Sequence, residues 1–453
     1  MLTSEKHIIS SHSETRVAQT PPTGPRLQSY VPVCRFRSSI KQDNMPEQSS
    51  DQTTENLILP HRQLLRDEKG KGQKPYIAGP NYDSFTSRFG DAFPAPRFLE
   101  SDLGVTAVYD LGTGTSSSSS ESGARQDAKR KQQKDDKDEQ DVEERKGETR
   151  RVLIVHGLNT PALGLLPLAR AIQALGPDTN NRLKTKTHIV LFDLWGHGLS
   201  STPLTPHSAH IFHSQIYQVL SLLRWSTCHV IGYSFGACLA AKFAFYNPSV
   251  AQSVTLLAPA GVLPREVIGD ELLGLLENPS DNGGVEEGAG QEKEREGKVL
   301  EFLEGGKLHL PSDWQDRMNR GEIVAEALRW WELDQHKGYR KSVLSMFRES
   351  GNVFGAEDFF RRFASATTNN HNDKNDENNN KENGLGMGFG KVLVVLGGRD
   401  DICSKEQLVE LGFEAQGIEI VVIEDAHHGV VRSHTESIAR VVTRLWEGEE
   451  GGE

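Results

Sequence analysis

The sequence predicts an α/β fold in which a mostly parallel β-sheet carries helices on both faces. Short apolar runs alternate along the chain with stretches of helical spacing, as expected when each strand returns through a helix to a parallel neighbour. The runs are continuously apolar, which is typical of strands buried on both faces. The predicted strands are 151–155, 188–193, 228–231, 253–259, 391–396 and 418–423.

The connections between these strands follow the same pattern. The first strand ends in His-Gly-Leu-Asn at 156–159, and a helix is predicted over 161–175. The second strand ends in the loop 194–201, which leads to a helix around 211–223. The third strand runs directly into 232–236. Functional groups of such sheets gather beyond the carboxyl ends of the strands, so these loops are where a site is expected.

Residues 232–236 read Gly-Tyr-Ser-Phe-Gly, a G-x-S-x-G pattern, and a small-residue helical stretch follows at 237–244. A serine between a strand and a helix in this way sits on a tight turn, and its neighbours must be small because the two backbones approach closely. The turn points the serine Oγ away from the sheet and directs helix N-terminal amides at the reacting centre. Ser234 is therefore the candidate nucleophile.

With these motifs in order, the chain resembles the α/β-hydrolase fold family. The likeness rests on His-Gly-x-x after the first strand, D-x-x-G-H-G-x-S from Asp193, G-x-S-x-G after the third strand, G-x-x-D from Gly397 and His-His-Gly at 427–429. It covers roughly residues 95–263 and 391–446. The resemblance implies a catalytic triad in the chain order serine, acid, histidine.

The acid implied by the G-x-x-D pattern is Asp400, and the alternative is Asp401, a solvated loop carboxylate beside it. Asp193 also ends a strand, but that position usually shapes the loop in this family. Some members carry the acid after the earlier strand. Here the segment 257–263 has no carboxylate before Glu266, which favours Asp400.

The base is a choice between the neighbours His427 and His428. The family usually has a small residue before the catalytic histidine, and His427 stands in that place, so His428 falls in the catalytic position. A shift of the loop by one residue would exchange the two. Ser234 needs such an imidazole because a hydroxyl is a poor nucleophile without an adjacent base, and the acid fixes the imidazole tautomer.

The resemblance also places an oxyanion hole at two backbone amides, those of Phe235 and Leu158. Removal of one such donor typically costs about 3 kcal/mol of transition-state stabilisation. The loop is His-Gly-Leu-Asn and not the HGGG type of some esterases, which implies a more confined acyl site. His156 and His197 are interpreted as loop histidines that support their turns.

Residues 264–390 carry apolar residues at helical spacing, with predicted helices at 265–277, 299–303, 321–335 and 339–350. The resemblance implies that this insertion is a cap over the active site. Its large side chains could line an acyl pocket, although each one alone is better interpreted as ordinary cap core. These side chains are Trp314, Trp330, Trp331, Leu333, Met346 and Phe347.

Four polar or low-complexity segments cannot bury enough apolar surface to offset the entropy of ordering, and they are expected to be disordered. These segments are 1–75, 113–150, 280–297 and 366–390. The remaining chain suffices for one hydrolase core, formed by 76–263 and 391–448, with the cap at 264–390 between its two parts.

Charge and cysteine usage exclude several classes of protein. The net charge of −12, without a basic patch, argues against nucleic-acid binding, and no apolar run has the length of a membrane span. Four cysteines without a paired framework, and no secretory signal, predict a cytoplasmic location. Residues 16–41 are basic as in an import segment, but Glu5 and Glu14 weaken that interpretation. Cys238 is expected to pack as a small residue.

The function that these inferences predict is hydrolysis of an ester-like bond in a small-molecule acyl substrate, as in carboxylesterases and lipases, through an acyl-enzyme on Ser234. The triad needs no metal or cofactor. A serine in place of an aspartate speaks against epoxide hydrolases and haloalkane dehalogenases. Alternatives are an acyltransferase, a thioesterase, a C–C bond hydrolase or a non-catalytic binding protein of the same fold. The sequence gives no signal for an oligomeric state.

Overall fold

A computed structural model describes residues 65–66, 72–113, 149–175, 186–263, 268–277, 285–304, 308–368 and 390–447. Eight of its strands form one sheet in the order β8-β7-β6-β5-β3-β4-β2-β1. Only the pairs β1–β2 and β2–β4 of this sheet are antiparallel, which confirms the predicted mostly parallel α/β fold. The strands are β1 Arg97–Ser101, β2 Gly104–Asp110, β3 Thr149–Val155, β4 Lys186–Phe192, β5 Cys228–Tyr233, β6 Ala251–Leu257, β7 Val392–Gly397 and β8 Glu419–Ile423.

The central strands are apolar throughout because both faces of the sheet are covered. On β3, Leu153 and Val155 belong to one buried cluster, whereas Val152 and Ile154 belong to the other. All four are inaccessible to solvent. Successive side chains of a strand point to opposite faces, so a continuous apolar run fills two cores at once.

Helices pack on both faces of the sheet. The helices before the insertion are α1 Tyr82–Phe89, α2 Leu166–Ala174, α3 Ala209–Leu223 and α4 Phe235–Tyr246, and a 3₁₀ turn, Ala162–Leu165, precedes α2. The insertion between β6 and β7 contributes α5 Asp270–Glu277, α6 Val285–Glu304, α7 Trp314–Asn319, α8 Ala325–Gln335, α9 Tyr339–Glu349 and α10 Glu357–Thr368. The last helices are α11 Lys405–Glu410, α12 Val430–Ser433 and α13 Thr435–Glu447. Side chains of α3, α4, α9 and α10 lie in the first buried cluster, and those of α1, α2, α8 and α13 lie in the second.

One segment differs from the sequence expectation. Residues 285–297 of the segment 280–297, expected to be disordered, form the first part of α6. Charged residues dominate this stretch, but Arg295 and Val299 are buried on one side of the helix, and Val299 packs in the core. A polar composition does not prevent a helix whose few apolar residues share one face. Most of the segments 1–75, 113–150 and 366–390 lies outside the described residues.

Hydrogen bonds join side chains of the insertion to the backbone of the loop 194–201 in the core. Three of these side chains bond to that loop from α8, from the residue after α8 and from α9. Glu332 accepts a hydrogen bond from the Gly198 N–H (2.6 Å), His336 donates to the Ser200 carbonyl (2.8 Å), and Ser342 donates to the Trp195 carbonyl (3.0 Å).

Candidate active site

Ser234 lies on the turn between β5 and α4 with φ 54° and ψ −118°, a backbone conformation that costs a non-glycine residue about 1–3 kcal/mol. Two hydrogen bonds hold the turn: the Ser234 N–H donates to the Leu257 carbonyl (2.9 Å), and its carbonyl accepts from the Ala260 N–H (3.1 Å). A Cβ on Gly232 would come within 2.3 Å of the Gly236 carbonyl oxygen. Glycine is required there because strand and helix backbones meet.

Ser234 is the first member of a hydrogen-bonded chain of three side chains. Its Oγ lies 2.9 Å from His428 Nε2, and His428 Nδ1 lies 3.0 Å from both carboxylate oxygens of Asp400. Because Nδ1 faces a carboxylate, it carries the proton, and the lone pair of Nε2 points at the hydroxyl. The arrangement can therefore take a proton from the Ser234 hydroxyl as the oxygen attacks a carbonyl carbon.

The neighbouring candidates face elsewhere. His427 is exposed, and its Nδ1 lies 3.1 Å from the Arg399 carbonyl oxygen. Asp401 is exposed as well, whereas the Asp400 side chain is inaccessible to solvent. The structure thus brings His428 and Asp400 to Ser234, whereas His427 and Asp401 are not part of this hydrogen-bonded chain.

The Asp400 carboxylate is oriented by backbone N–H groups of the loop to which it belongs. Its Oδ1 accepts hydrogen bonds from the Ile402 N–H (2.8 Å) and the Cys403 N–H (3.2 Å). Such bonds fix the rotamer of the carboxylate, and the carboxylate in turn fixes the imidazole plane of His428.

The two predicted oxyanion donors belong to residues near Ser234, one in the chain and one in the same pocket. Phe235 is the first residue of α4, so its N–H has no acceptor within that helix. Leu158 and Ser234 line one pocket.

Two buried histidines support the loop that carries Leu158. His197 Nε2 donates to the Leu158 carbonyl, while His156 donates from Nδ1 to the Gly157 carbonyl (2.6 Å) and accepts at Nε2 from the Leu194 N–H (2.8 Å). Burial lowers the pKa of both imidazoles, so both are neutral at neutral pH. These contacts agree with the interpretation of both residues as supports of the loops.

Asp193 anchors the loop after β4. It accepts hydrogen bonds from the Tyr109 hydroxyl (2.7 Å) and from the amides of Ala162 and Leu199 (both 2.9 Å). Burial raises the pKa of this carboxyl to about 6. These partners all belong to the sheet and its loops, which agrees with the interpretation of Asp193 as a residue that shapes the loop.

A pocket of about 420 Å³, its open mouth included, leads to Ser234. Its described lining comes from 157–160, the serine turn, Leu303 of α6, Arg329 of α8, and His428 with Arg432. Sequence reasoning missed both arginines. The position of Arg432 near the site could have been inferred, since it follows His428 by four residues, one helical turn. Nothing in the sequence placed Arg329 there.

The large side chains suggested for an acyl pocket are not part of this lining. Trp314 and Trp331 pack with Phe85 and Phe89 in the second buried cluster. Trp330 is exposed, and its ring lies 4.5 Å from the Arg88 guanidinium carbon. Met346 and Phe347 belong to the first cluster, and Leu333 packs against it. Ordinary packing explains all six.

Within the described ranges, no group of three or more His, Cys, Asp or Glu side chains could hold a metal ion. None of the helices described is both long and apolar enough to cross a bilayer.

Comparison with known proteins gives matches at the level of family. The family described as alpha/beta hydrolase fold matches residues 150–285, which contain the serine turn. A serine hydrolase-like protein of Homo sapiens is 33% identical over 72 residues, 16% of this chain and 36% of that protein. A serine hydrolase-like protein of Danio rerio is 38% identical over 80 residues, 17% of this chain and 24% of that protein. The chain thus spans well under half the length of these relatives.

Among solved structures, a bacterial membrane phospholipase A superposes with a TM-score of 0.49 at 15% identity, over 82% of this chain and 91% of that chain. The family match covers the strands and the turn that carry Ser234, and the sheet order and the turn conformation agree with it. The chain therefore has the α/β-hydrolase fold, and its residues 150–285 match the family of that description.

Proposed function

We propose that the protein is a serine hydrolase that cleaves carboxylic esters of small molecules through a covalent acyl-enzyme. The observation that carries this proposal is the chain of hydrogen bonds from Asp400 through His428 to Ser234 Oγ, on a turn that lines the pocket. A nucleophile within hydrogen-bond reach of a base, itself oriented by a third group, is the arrangement that activates a hydroxyl.

In the proposed reaction, Ser234 Oγ attacks the ester carbonyl carbon while its proton moves to His428 Nε2. The amides of Phe235 and Leu158 stabilise the oxyanion, and Asp400 stabilises the imidazolium that forms. The tetrahedral intermediate then breaks its bond to the alcohol oxygen, which takes the proton from His428. Water repeats the sequence on the acyl-enzyme and regenerates the free serine.

The proposal includes a cap role for the helical insertion. Two of its residues, Leu303 and Arg329, line the pocket, and the Leu303 carbonyl accepts a hydrogen bond from the Asn159 side chain (3.3 Å). The insertion therefore reaches the loop that carries the proposed oxyanion donor. A wall of this kind excludes water and sets the shape of the substrate.

A cytoplasmic location is also part of the proposal. Cys228, Cys238 and Cys403 are free and buried, and burial raises the pKa of Cys238 to about 11, so its thiol is unreactive. Free buried thiols suit a reducing compartment. Fractionation of cells that express the chain with a small C-terminal tag tests this point, and recovery in an oxidising compartment would contradict it.

Labelling with a fluorophosphonate tests the proposed chemistry. The purified full chain is expected to be labelled at Ser234, as identified by mass spectrometry of the labelled peptide, and the label is expected to vanish in Ser234→Ala. Ser226→Ala is the matched control, since Ser226 is an exposed residue before β5 and lies outside the pocket lining. A folded protein without label would contradict the proposal and favour a binding protein of the same fold.

A further inference from the structure

The pocket that leads to Ser234 carries two arginine side chains. Arg329 comes from α8 of the insertion, and Arg432 comes from α12 directly after His428. Among the described residues that line the pocket, none is Asp or Glu. The whole chain has 63 acidic and 51 basic residues, so this pocket has the opposite charge balance to the molecule.

Both guanidinium groups lie close to the serine turn. Their charges oppose the rise in pKa that burial causes in Tyr233, the residue before Ser234, and Arg432 has the larger effect of the two. The Tyr233 hydroxyl donates to the His428 carbonyl (3.3 Å). A substrate group near either arginine would therefore lie in the same pocket as Ser234 and His428.

The carboxylates around the pocket do not neutralise both arginines. Asp400 faces His428, and Glu326 forms an ion pair with Arg329 (3.7 Å). Glu332 lies one turn from Arg329 but is fully buried, and burial raises its pKa well above the usual range, which disfavours its charged form. For Arg432 the described residues contain no ion-pair partner.

The remaining lining does not suit a long hydrocarbon chain. Leu158, Leu303 and Tyr233 are its large apolar side chains among the described residues, and the other lining residues are polar or glycine. A long acyl chain would remove these polar groups from water without giving them partners, which is unfavourable. The volume, about 420 Å³ with the open mouth, also has to hold the reacting ester.

We propose that the site takes short esters with a second, free carboxylate, which Arg432 and Arg329 bind while the ester carbonyl faces Ser234. The planar guanidinium donates paired hydrogen bonds that match a carboxylate, and such charge-assisted bonds are the stronger kind. This inference rests on the proposed hydrolase function and adds the substrate class to it.

A pair of aryl esters that differ only at the distal carboxyl, which is free in one and methylated in the other, tests the inference. The monoanion is mono-4-nitrophenyl adipate, and the neutral partner is its methyl ester, with release of 4-nitrophenolate as the readout for both. At low ionic strength kcat/KM is expected to be at least about tenfold higher for the monoanion, as one charge-assisted bond provides. Ser234→Ala supplies the background rate for each ester.

Arg432→Gln is expected to lower this preference about tenfold, because it removes the charge but keeps a polar side chain of similar length. Arg440→Gln is the matched control: Arg440 pairs with Glu436 on α13, outside the pocket lining, so the preference should not change. Equal turnover of the two esters by the wild type, or an equal loss of preference in both variants, would overturn the inference.

Binding to Ser234→Ala separates this inference from the hydrolase function. Calorimetric titration with monomethyl adipate and dimethyl adipate needs no turnover, and the monoester is expected to bind at least about tenfold more tightly. Selective binding without labelling or turnover supports the carboxylate site and contradicts only the hydrolase proposal. Binding that does not distinguish the two compounds overturns the carboxylate site whatever the labelling shows.

Discussion

Two adjacent histidines, His427 and His428, have the same side chain but opposite surroundings. His428 Nε2 faces Ser234 Oγ, whereas His427 is exposed and faces the Arg399 carbonyl. His428→Ala is expected to reduce kcat/KM for an aryl ester by about a thousandfold or more, since it removes the general base. His427→Ala should keep kcat/KM within about threefold, because it removes no group from the proposed reaction. Steady-state kinetics of both variants measure this, and the reverse result would assign the base to His427.

Asp400 and Asp401 form a second pair of neighbours with different contacts. Asp400→Asn keeps an acceptor for the Ile402 and Cys403 amides but can turn an N–H toward His428 Nδ1, which favours the wrong tautomer. A fall in kcat of about 10⁴-fold is the size expected for such a change. Asp401→Asn, a change on an exposed side chain, should leave kcat nearly unaltered. Comparable losses of kcat in both variants would mean that any substitution in this loop disturbs the site, and would argue against a specific role of Asp400.

The three proposed catalytic residues could be predicted because each follows a strand in a short, ordered motif. The geometry adds the choice between neighbours, since a sequence cannot decide which of two adjacent loop residues faces inward. Arg329 was beyond sequence reasoning for a different reason. It stands 95 positions from Ser234, and only the packing of α8 against the core brings the two into one pocket.

Helix α4 depends on close contact between its backbone and that of β3. A Cβ on Gly236 would lie 2.3 Å from the His156 carbonyl oxygen and 2.4 Å from that of Val155, and backbone atoms cannot move away cheaply. Gly236→Ala is expected to lower the free energy of unfolding by about 2 kcal/mol or more. Gly297→Ala is the control: it is exposed on α6 with open space around it, so the alanine should be neutral or stabilise by up to about 1 kcal/mol. Urea unfolding measures both, and a neutral Gly236→Ala would show that α4 can shift.

Helix α8 carries a buried carboxyl, that of Glu332, which should make stability depend on pH. Burial raises its pKa well above the ordinary value of 4.5, so between that value and the folded-state pKa the unfolded chain holds fewer protons than the folded one. The free energy of unfolding should therefore fall as pH rises from 5 to 8. Burial also raises the pKa of Asp193 to about 6, so this carboxyl likewise lowers the free energy of unfolding as pH rises toward 6.

Glu332→Gln keeps the acceptor for the Gly198 N–H and removes the ionisation. The decrease in the free energy of unfolding between pH 5 and pH 8 should then be smaller than in the wild type by more than about 1 kcal/mol. Asp334→Asn, on an exposed acid of the same helix, should leave the decrease unchanged. Urea unfolding at both pH values measures it. An unchanged pH dependence in Glu332→Gln would mean that the carboxyl is ionised in the folded protein.

Elements were predictable where the apolar pattern was simple. The six predicted strands are all present, because a strand buried on both faces is apolar at every position. The antiparallel strands β1 and β2 were not predicted. They lie toward the edge of the sheet, and the residues of β1 are exposed or only partly buried, so β1 is not a continuous apolar run. The first part of helix α6 was not predicted, because its many charged residues hide the helical spacing of the few buried ones.

At the scale of the whole molecule, the connection between β2 and β3 is far longer than its ends require. Gly112 bonds to Ile189 on one side of β4, and Thr149 pairs with Lys186 on the other. The ends are therefore two strand spacings apart across the sheet and three residues apart along β4, about 14 Å in all. Eight Gly and Ser residues reach up to about 26 Å. Replacement of 115–147, which lie outside the described residues, by such a linker should change the free energy of unfolding by only about 1 kcal/mol.

Urea unfolding and labelling of Ser234 check this replacement. The variant is expected to unfold at nearly the same urea concentration as the full chain and to be labelled equally fast. Loss of folding would show that 115–147 contribute contacts to the core.

Ser234 and His428 are 194 positions apart in the chain, so they are synthesised at different times. A ribosome makes the chain from its N-terminus, so the serine emerges about 10–40 s before the histidine at ordinary rates of translation. Until β7 and β8 are made, near the end of that interval, the sheet lacks this edge and the serine lacks its proposed base. Under the proposed mechanism, Ser234 cannot act as a nucleophile in the nascent chain until the last strands of the sheet bring the acid and the base to it.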